Sequence, residues 1–221
     1  MSRPIVITGV GGHGREVLQV IRALNFGSQV WAMLGFLVDP EFTRETTVHG
    51  LPVLGGLDWL TGRPEVCVAI GIGRPHLRRR VAERLAVYGN ACPVLTHPRA
   101  WIGDRVTVGE GCVVFAGTMI TTDVSLGHHV HLNTGCTVGH DSTVGNYSSL
   151  YQSVSVSGNV VIGDGVEAGT GTRFIPNVSV GAWSVLGAGT VVTTSLPANI
   201  TAVGVPARII KTRQAGWHET S

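Results

Sequence analysis

Two neighbouring side chains carry the clearest chemistry in this sequence. In the run Leu132, Asn133, Thr134, Gly135, Cys136, Thr137, Val138, Gly139, His140, Asp141, an imidazole is followed directly by a carboxylate. A histidine titrates near neutrality and can take a proton from an attacking amine or hydroxyl. An adjacent acid can orient the ring and stabilise its cation. Successive strand residues point to opposite faces, so the pair works only if a turn redirects one side chain, or if the acid comes from elsewhere. On spacing alone, an exposed corner residue accounts for His140 equally well. His128, His129 and His131 lie just upstream. Histidines so close together on an extended strand cannot readily face one ion, so they are read as solvated surface or groove lining and no metal is assigned.

A second candidate is the loop Gly9, Val10, Gly11, Gly12, His13, Gly14. Gly9, Gly11 and Gly14 have the spacing of the dinucleotide fingerprint, and Asp39 closes the next strand. A glycine loop opening a helix binds phosphate through free backbone N–H groups, whatever molecule the phosphate belongs to.

The elements that hold these residues fall into two parts. Ile5 to Thr8 reads as a short strand, followed by the glycine loop and a helix with Val17, Val20, Ile21 and Leu24 on one face. A second strand ends at Gly35, Phe36, Leu37, Val38, Asp39, and a third apolar run, Val66 to Ile70, stops at Gly71. Pro75 is placed to open a helix with Leu77, Val81 and Leu85 inward. Strands alternating with helices predict a small parallel sheet, a Rossmann-like N-terminal domain over residues 1–97.

From residue 98 the period changes to six. Every sixth residue from Ile102 through Val108, Ile120, Val138, Ile162 and Phe174 to Val192 is apolar, and four residues after each stands a small or β-branched side chain such as Cys112, Thr118, Val130 or Ser148. Glycine follows the apolar position at Gly103, Gly109, Gly127, Gly139, Gly145 and Gly163 among others, where it would let the chain bend past an obstruction. A period of six sustained this long predicts a parallel β-helix of hexapeptide repeats over residues 98–221, the last of them a tail, with three hexads to a coil of about 18 residues. A narrow prism has long faces to bury, and closed threefold packing is one solution.

The 31 glycines against 10 prolines fit periodic turns rather than a disordered linker. With 16 basic and 14 acidic residues there is no nucleic-acid footprint, and the triplet Arg78, Arg79, Arg80 reads as a solvated helix face. The apolar stretch from Pro4 to Val10 is too short to span a bilayer. Four cysteines without paired spacing, Cys67, Cys92, Cys112 and Cys136, read as reduced thiols of a cytoplasmic protein.

The stretch from Asn133 to Asp141, the glycine loop with His13, the element Gly35 to Asp39 and the terminal Val203, Gly204, Val205, Pro206, Ala207, Arg208 together resemble the bacterial nucleotide-sugar acyltransferases. That family N-acetylates UDP-linked 4-amino sugars and GDP-perosamine and includes sialic acid O-acetyltransferases. The similarity covers about residues 4–210. It implies a left-handed β-helix, a homotrimer, acetyl-CoA as cosubstrate without a metal, and a place in polysaccharide biosynthesis. It makes His140 the general base and Asp141 its orienting acid. It also gives the nucleotide-linked amino sugar to Gly11, Gly12, His13, Val38, Asp39, Gly71 and Asn133. Ser149, Gly158, Thr170 and Ala188 fall where the family lays CoA, although Ser149 stands where the 4-amino-sugar enzymes have a second histidine. The short α/β part favours a sugar nucleotide over NAD.

Three rivals remain open. A sugar O-acetyltransferase would use the same base on a hydroxyl. A scaffold or nucleotide-sugar sensor would keep the shape without catalysis. The hexapeptide-coil carbonic anhydrases are disfavoured because their pattern has a histidine where Gly145 stands.

Overall fold

The structure is a computed structural model and describes residues 2–220. Its N-terminal part is a five-stranded sheet built from β1 (Arg3–Thr8), β2 (Trp31–Leu37), β3 (Thr47–Val48), β4 (Leu51–Gly55) and β5 (Cys67–Ile70), in the order β3, β4, β2, β1, β5. All pairs are parallel except β3 with β4. Helix α1 (Gly12–Leu24) follows β1, and α2 (Pro75–Leu85) follows β5.

Period-two alternation in β1 decides what each face carries. Ile5 and Ile7 join Val17, Val20 and Ile21 of α1 in one buried cluster, whereas Val6 joins Val68, Ile70 and Leu85 on the other side. The first cluster extends into the second part of the chain through Leu95, Val113 and Phe115. Because the chain moves outward from β1 to β2 and β4 and then returns to β5, the sheet has a topological switch point between β1 and β5. The loop of residues 9–14 and the Gly71 turn meet there. A Cβ on Gly71 would lie 2.6 Å from the Gly14 Cα, so both positions admit only glycine.

The second part is a parallel β-helix. Met119 pairs with Thr137 and Thr137 with Ser155, so one coil is 18 residues. The first face runs from Trp101–Ile102 to Val191–Val192, and the second from Thr107–Val108 to Ser179–Val180. The third begins at Leu95–Thr96, ahead of residue 98, and ends in a hairpin of Ile200–Val203 with Arg208–Thr212. The second residue of each strand fills the prism, as Ile120, Val138, Val144 and Leu150 do. Each such side chain contributes roughly 1.5–3 kcal/mol by burial. The small residues four places on are also inside, where Ser142 and Ser148 donate to the carbonyls of Ser157 and Gly163.

The turns differ from the sequence expectation in one respect. Glycines in the recurring slot, such as Gly103, do not have positive φ; there a Cβ would collide with the Thr121 carbonyl of the next coil. Left-handed backbone comes two residues later, in three edge columns. Arg105, Asp123, Asp141, Asn159 and Asn177 form one, Gly111, His129, Tyr147, Gly165 and Trp183 another, and Gly117, Gly135, Ser153, Gly171 and Gly189 the third.

Helix α3 (Trp217–Thr220) returns the chain to α2, with Trp183 stacked on His218 at 3.7 Å and Arg79 3.0 Å from the same ring. Among the described residues, no helix is long and apolar enough to cross a membrane.

Candidate active site

His140 and Asp141 occupy the edge between the first and second faces, after Thr137–Val138 and before Thr143–Val144. Asp141 sits in the left-handed column with φ of 57°. That conformation redirects its side chain to the same side as its neighbour, and His140 Nδ1 lies 2.7 Å from Asp141 Oδ2. A carboxylate only accepts, so Nδ1 carries the proton and Nε2 presents a lone pair. Both side chains are more than half exposed. The ring lies along the edge over Gly158 of the next coil, where a Cβ would stand 2.6 Å from Cε1 and Nε2. One coil below, Arg105 holds Asp123 in a two-point ion pair, and that hydrogen bonding brings the Asp123 carboxyl down to about 2.

The nucleotide loop is elsewhere on the prism. Gly11 and Gly12 open α1, exposed and with their amides directed outward from the helix start. Val38 N–H is bonded to Gly55 O at 2.7 Å. Asp39, at the end of β2, accepts from Arg84 Nη1 at 3.1 Å. His13 Nε2 lies 2.7 Å from Nδ1 of His131, and its Nδ1 lies 3.4 Å from Glu16. His13 is also tilted against Phe115 at 5.5 Å. Asn133 is buried and accepts the Thr134 N–H at 2.7 Å. It also helps hold the Glu16 carboxyl below its usual range, after the larger effect of the His13 hydrogen bond.

Two readings of the sequence are corrected here. Arg78 is not on a solvated face: it is fully buried, donating to the carbonyls of Ile72, Gly73, His129, Tyr147 and Ser148 and to the Ser149 hydroxyl. Burial lowers its pKa to about 10, against the weaker opposing pull of Tyr151, Cys112, Glu167 and Tyr147. His129 and His131 are not surface residues either, whereas His128 is exposed. His129 stacks on Tyr147, and burial, with Arg78 nearby, pushes it down to about 4 and holds His131 well below its usual value too.

The donor-site candidates divide. Ser149 is buried, donating to Gly73 O at 2.6 Å while accepting from Arg78 at 2.8 Å, so its hydroxyl ties the Gly71 turn to the coil. Gly158 adjoins His140. Thr170, bonded to Gln152 at 3.1 Å, and Ala188 lie on the edge between the third and first faces. A single donor touching Gly158 and Thr170 must cross the first face or bridge two copies.

The α/β part covers the third face, through His13, Arg78 and Phe115. His140 stands on the edge between the other two faces, opposite. Three residues with structural consequence were missed in the sequence: Arg78, His131 and Glu16. Only long-range partners reveal the first two, and Glu16 reads as an ordinary solvent-facing acid of α1.

The family profile described as the PglD N-terminal domain matches residues 4–85. Over 123 residues the chain is 34% identical to the UDP-N-acetylbacillosamine N-acetyltransferase of Bacillus subtilis (strain 168), with 51% of each chain aligned. Over 128 residues it is 28% identical to the GDP-perosamine N-acetyltransferase of Escherichia coli O157:H7, with 58% of each aligned. The aligned stretch thus spans about half the length of these curated relatives. Solved structures match along nearly the whole chain. The acetyltransferase domain of PglB from Neisseria gonorrhoeae FA1090 is 30% identical, covers 95% of this chain and 100% of its own, and superposes with a TM-score of 0.88. PerB from Caulobacter crescentus, in complex with CoA and GDP-perosamine, is 32% identical over 94% and 97%, with a TM-score of 0.85. With the α/β part and the hexapeptide coil matched along nearly the whole chain, this chain belongs to the left-handed β-helix nucleotide-sugar acetyltransferase family of PglB and PerB.

Proposed function

We propose that this protein transfers an acetyl group from acetyl-CoA to an amino group, at the 4-position, of a nucleotide-linked sugar, with His140 as general base. The observation that carries this is the His140–Asp141 pair, with its free Nε2 lying along the prism edge over Gly158. The amine nitrogen attacks the thioester carbonyl, His140 Nε2 takes its proton as the C–N bond forms, and the tetrahedral intermediate expels CoA thiolate, which is then protonated. Asp141 keeps the ring in the reactive tautomer and stabilises the imidazolium. No step needs a metal ion. Orientation of the two substrates in one groove can supply roughly 7–11 kcal/mol of the barrier reduction.

The loop of residues 9–14, Val38, Asp39, Gly71 and Asn133 would bind the nucleotide sugar, and the small residues Gly158, Thr170 and Ala188 would let CoA approach the backbone closely. The loop and the base lie on opposite sides of one prism, which supports a homotrimer whose sites join the loop of one copy to His140 of another. Four free thiols agree with a reducing cytoplasm.

Acetyl-CoA turnover against UDP-, GDP- and dTDP-linked 4-amino sugars and their hydroxyl counterparts tests the activity. Turnover of an amine confirms it, turnover of the hydroxyl sugar alone makes it an O-acetyltransferase, and nucleotide-sugar binding without turnover makes it a sensor. A monomer in light scattering would remove the shared site.

A further inference from the structure

Glu16 stands one helical turn beyond the glycine loop, on the side of α1 that faces the β-helix. Its carboxylate is half exposed, yet it is held from behind by a defined chain of contacts. His131 is buried and neutral, and its Nε2 has no partner. Its Nδ1 shares a proton with His13 Nε2 across 2.7 Å. If His131 donates, His13 Nε2 accepts, and the His13 proton sits on Nδ1. If His13 donates instead, its Nδ1 still faces the Glu16 carboxylate at 3.4 Å. In both arrangements the His13 ring abuts Glu16, and Asn133 engages the same carboxylate. Phe115 closes the other side of the His13 ring. The result is an ionised acid held on one side by His13 and Asn133 and half exposed on the other.

This position suits a cation better than a phosphate. The diphosphate belongs at the amides of Gly11 and Gly12, and a carboxylate one turn further on would repel it. A sugar extending from that diphosphate across His13 would bring its non-reducing end toward Glu16, 3.4 Å beyond the ring. An aliphatic amine is largely protonated near neutrality, and a carboxylate binds an ammonium through charge-assisted hydrogen bonds that a neutral hydroxyl cannot match.

We propose that Glu16 receives the acceptor amino group as an ammonium and selects an amine over a hydroxyl at that position. This rests on the reading of the protein as a nucleotide-sugar N-acetyltransferase and adds the residue that discriminates. The ammonium gives one proton to solvent before reaction. The second passes to His140 Nε2 as the C–N bond forms and the C–S bond breaks.

The test uses Glu16→Gln, which keeps the size and one acceptor oxygen but removes the charge. The probes are the 4-amino nucleotide sugar turned over by the unmodified protein, its 4-hydroxy counterpart and the bare nucleoside diphosphate, each titrated by calorimetry. The unmodified protein should bind the amine about tenfold or more tighter than the hydroxyl sugar. In Glu16→Gln that preference should fall to within about threefold while nucleoside diphosphate affinity stays the same. An undiminished preference in the variant overturns the inference alone. An equal loss for all three probes also overturns it, making Glu16 a support of the glycine loop. If the unmodified protein acetylates none of the amino sugars, the N-acetyltransferase reading falls together with it.

Discussion

His140 Nδ1 lies 2.7 Å from the carboxylate of Asp141, the next residue in the chain. In an extended strand consecutive side chains diverge, so this contact exists only because Asp141 takes the left-handed conformation that the coil imposes on its edge column. The fold therefore builds the imidazole–carboxylate pair out of an ordinary turn. Replacing His140 by Ala or Asn should lower kcat by roughly 100- to 10,000-fold with little change in KM, because the base acts as the transition state forms. Asp141→Asn should lose less, since the ring stays but its tautomer and cation are less well held. Steady-state kinetics decide this, and near-normal kcat in a folded His140 variant would contradict it.

Asp39→Ala should weaken nucleotide-sugar binding and leave acetyl-CoA binding nearly intact, because the two ligands are assigned to different parts of the chain. Arg84, which pairs with Asp39 at 3.1 Å and is largely exposed, supplies the control. Losing an exposed pair changes stability by at most about 1 kcal/mol, so Arg84→Gln should bind both ligands and unfold almost normally. Equal losses for both ligands in calorimetry of Asp39→Ala would contradict the division of roles.

Arg78 donates to five carbonyls and one hydroxyl, from its own turn and from the second and third coils. Arg78→Met strips all of them at once and leaves buried carbonyls without donors. The expected destabilisation is about 3–5 kcal/mol, the range for breaking a buried, fully engaged charged group. Urea unfolding followed by two probes should show the α/β part releasing before the coil.

The sequence exposes what repeats and hides what is brought together from afar. The interior aliphatics are legible because each must face inward every sixth residue, and His140 is legible because the repeat does not call for it. The edge columns are not, since Asp141, His129, Tyr147 and Trp183 carry no local sign of left-handed backbone. The recurring glycines point instead to clearance between coils. Arg78 looks like its exposed neighbours until partners some 50–70 positions away are placed around it. Ser149 is similar: its type fits a ligand contact, and only the Gly73 carbonyl accounts for its burial.

Acid should loosen the joint between the two parts. Burial first, and Arg78 second, depress His129 to about 4 and His131 well below its usual value, while both would titrate near 6.5 in an unfolded chain. Below about pH 6.5 the unfolded state then binds more protons than the folded one, so stability falls as pH drops toward 4. The slope is up to about 1.4 kcal/mol per pH unit for each histidine. His76, His97 and His218 shift the same way. The depressed acids Glu16 and Asp123 lose their contribution only at lower pH. His129→Phe should keep the stack on Tyr147, as the aromatic Tyr147 and Trp183 tolerate the same backbone, and should flatten the slope by about one proton. Urea midpoints at pH 7 and pH 5 measure it, and an unchanged slope would contradict the assignment.

Gly158 gives the most discriminating substitution near the base. Its φ lies outside the left-handed range, so Ala is acceptable to the backbone, but the new methyl would stand 2.6 Å from Cε1 and Nε2 of His140. The exposed ring can swing away at little cost, so unfolding should shift by less than about 1 kcal/mol. Its Nε2 would leave the reactive position, and a displacement of this order lowers kcat by roughly 100-fold. The same methyl could instead obstruct CoA, which Gly158 is also proposed to touch. A double-mutant cycle separates the two effects. If Gly158→Ala acts only through the ring, adding it to His140→Ala should cost nothing further in kcat/KM. If the loss persists in that background and appears in the KM for acetyl-CoA, Gly158 serves the donor and not the base.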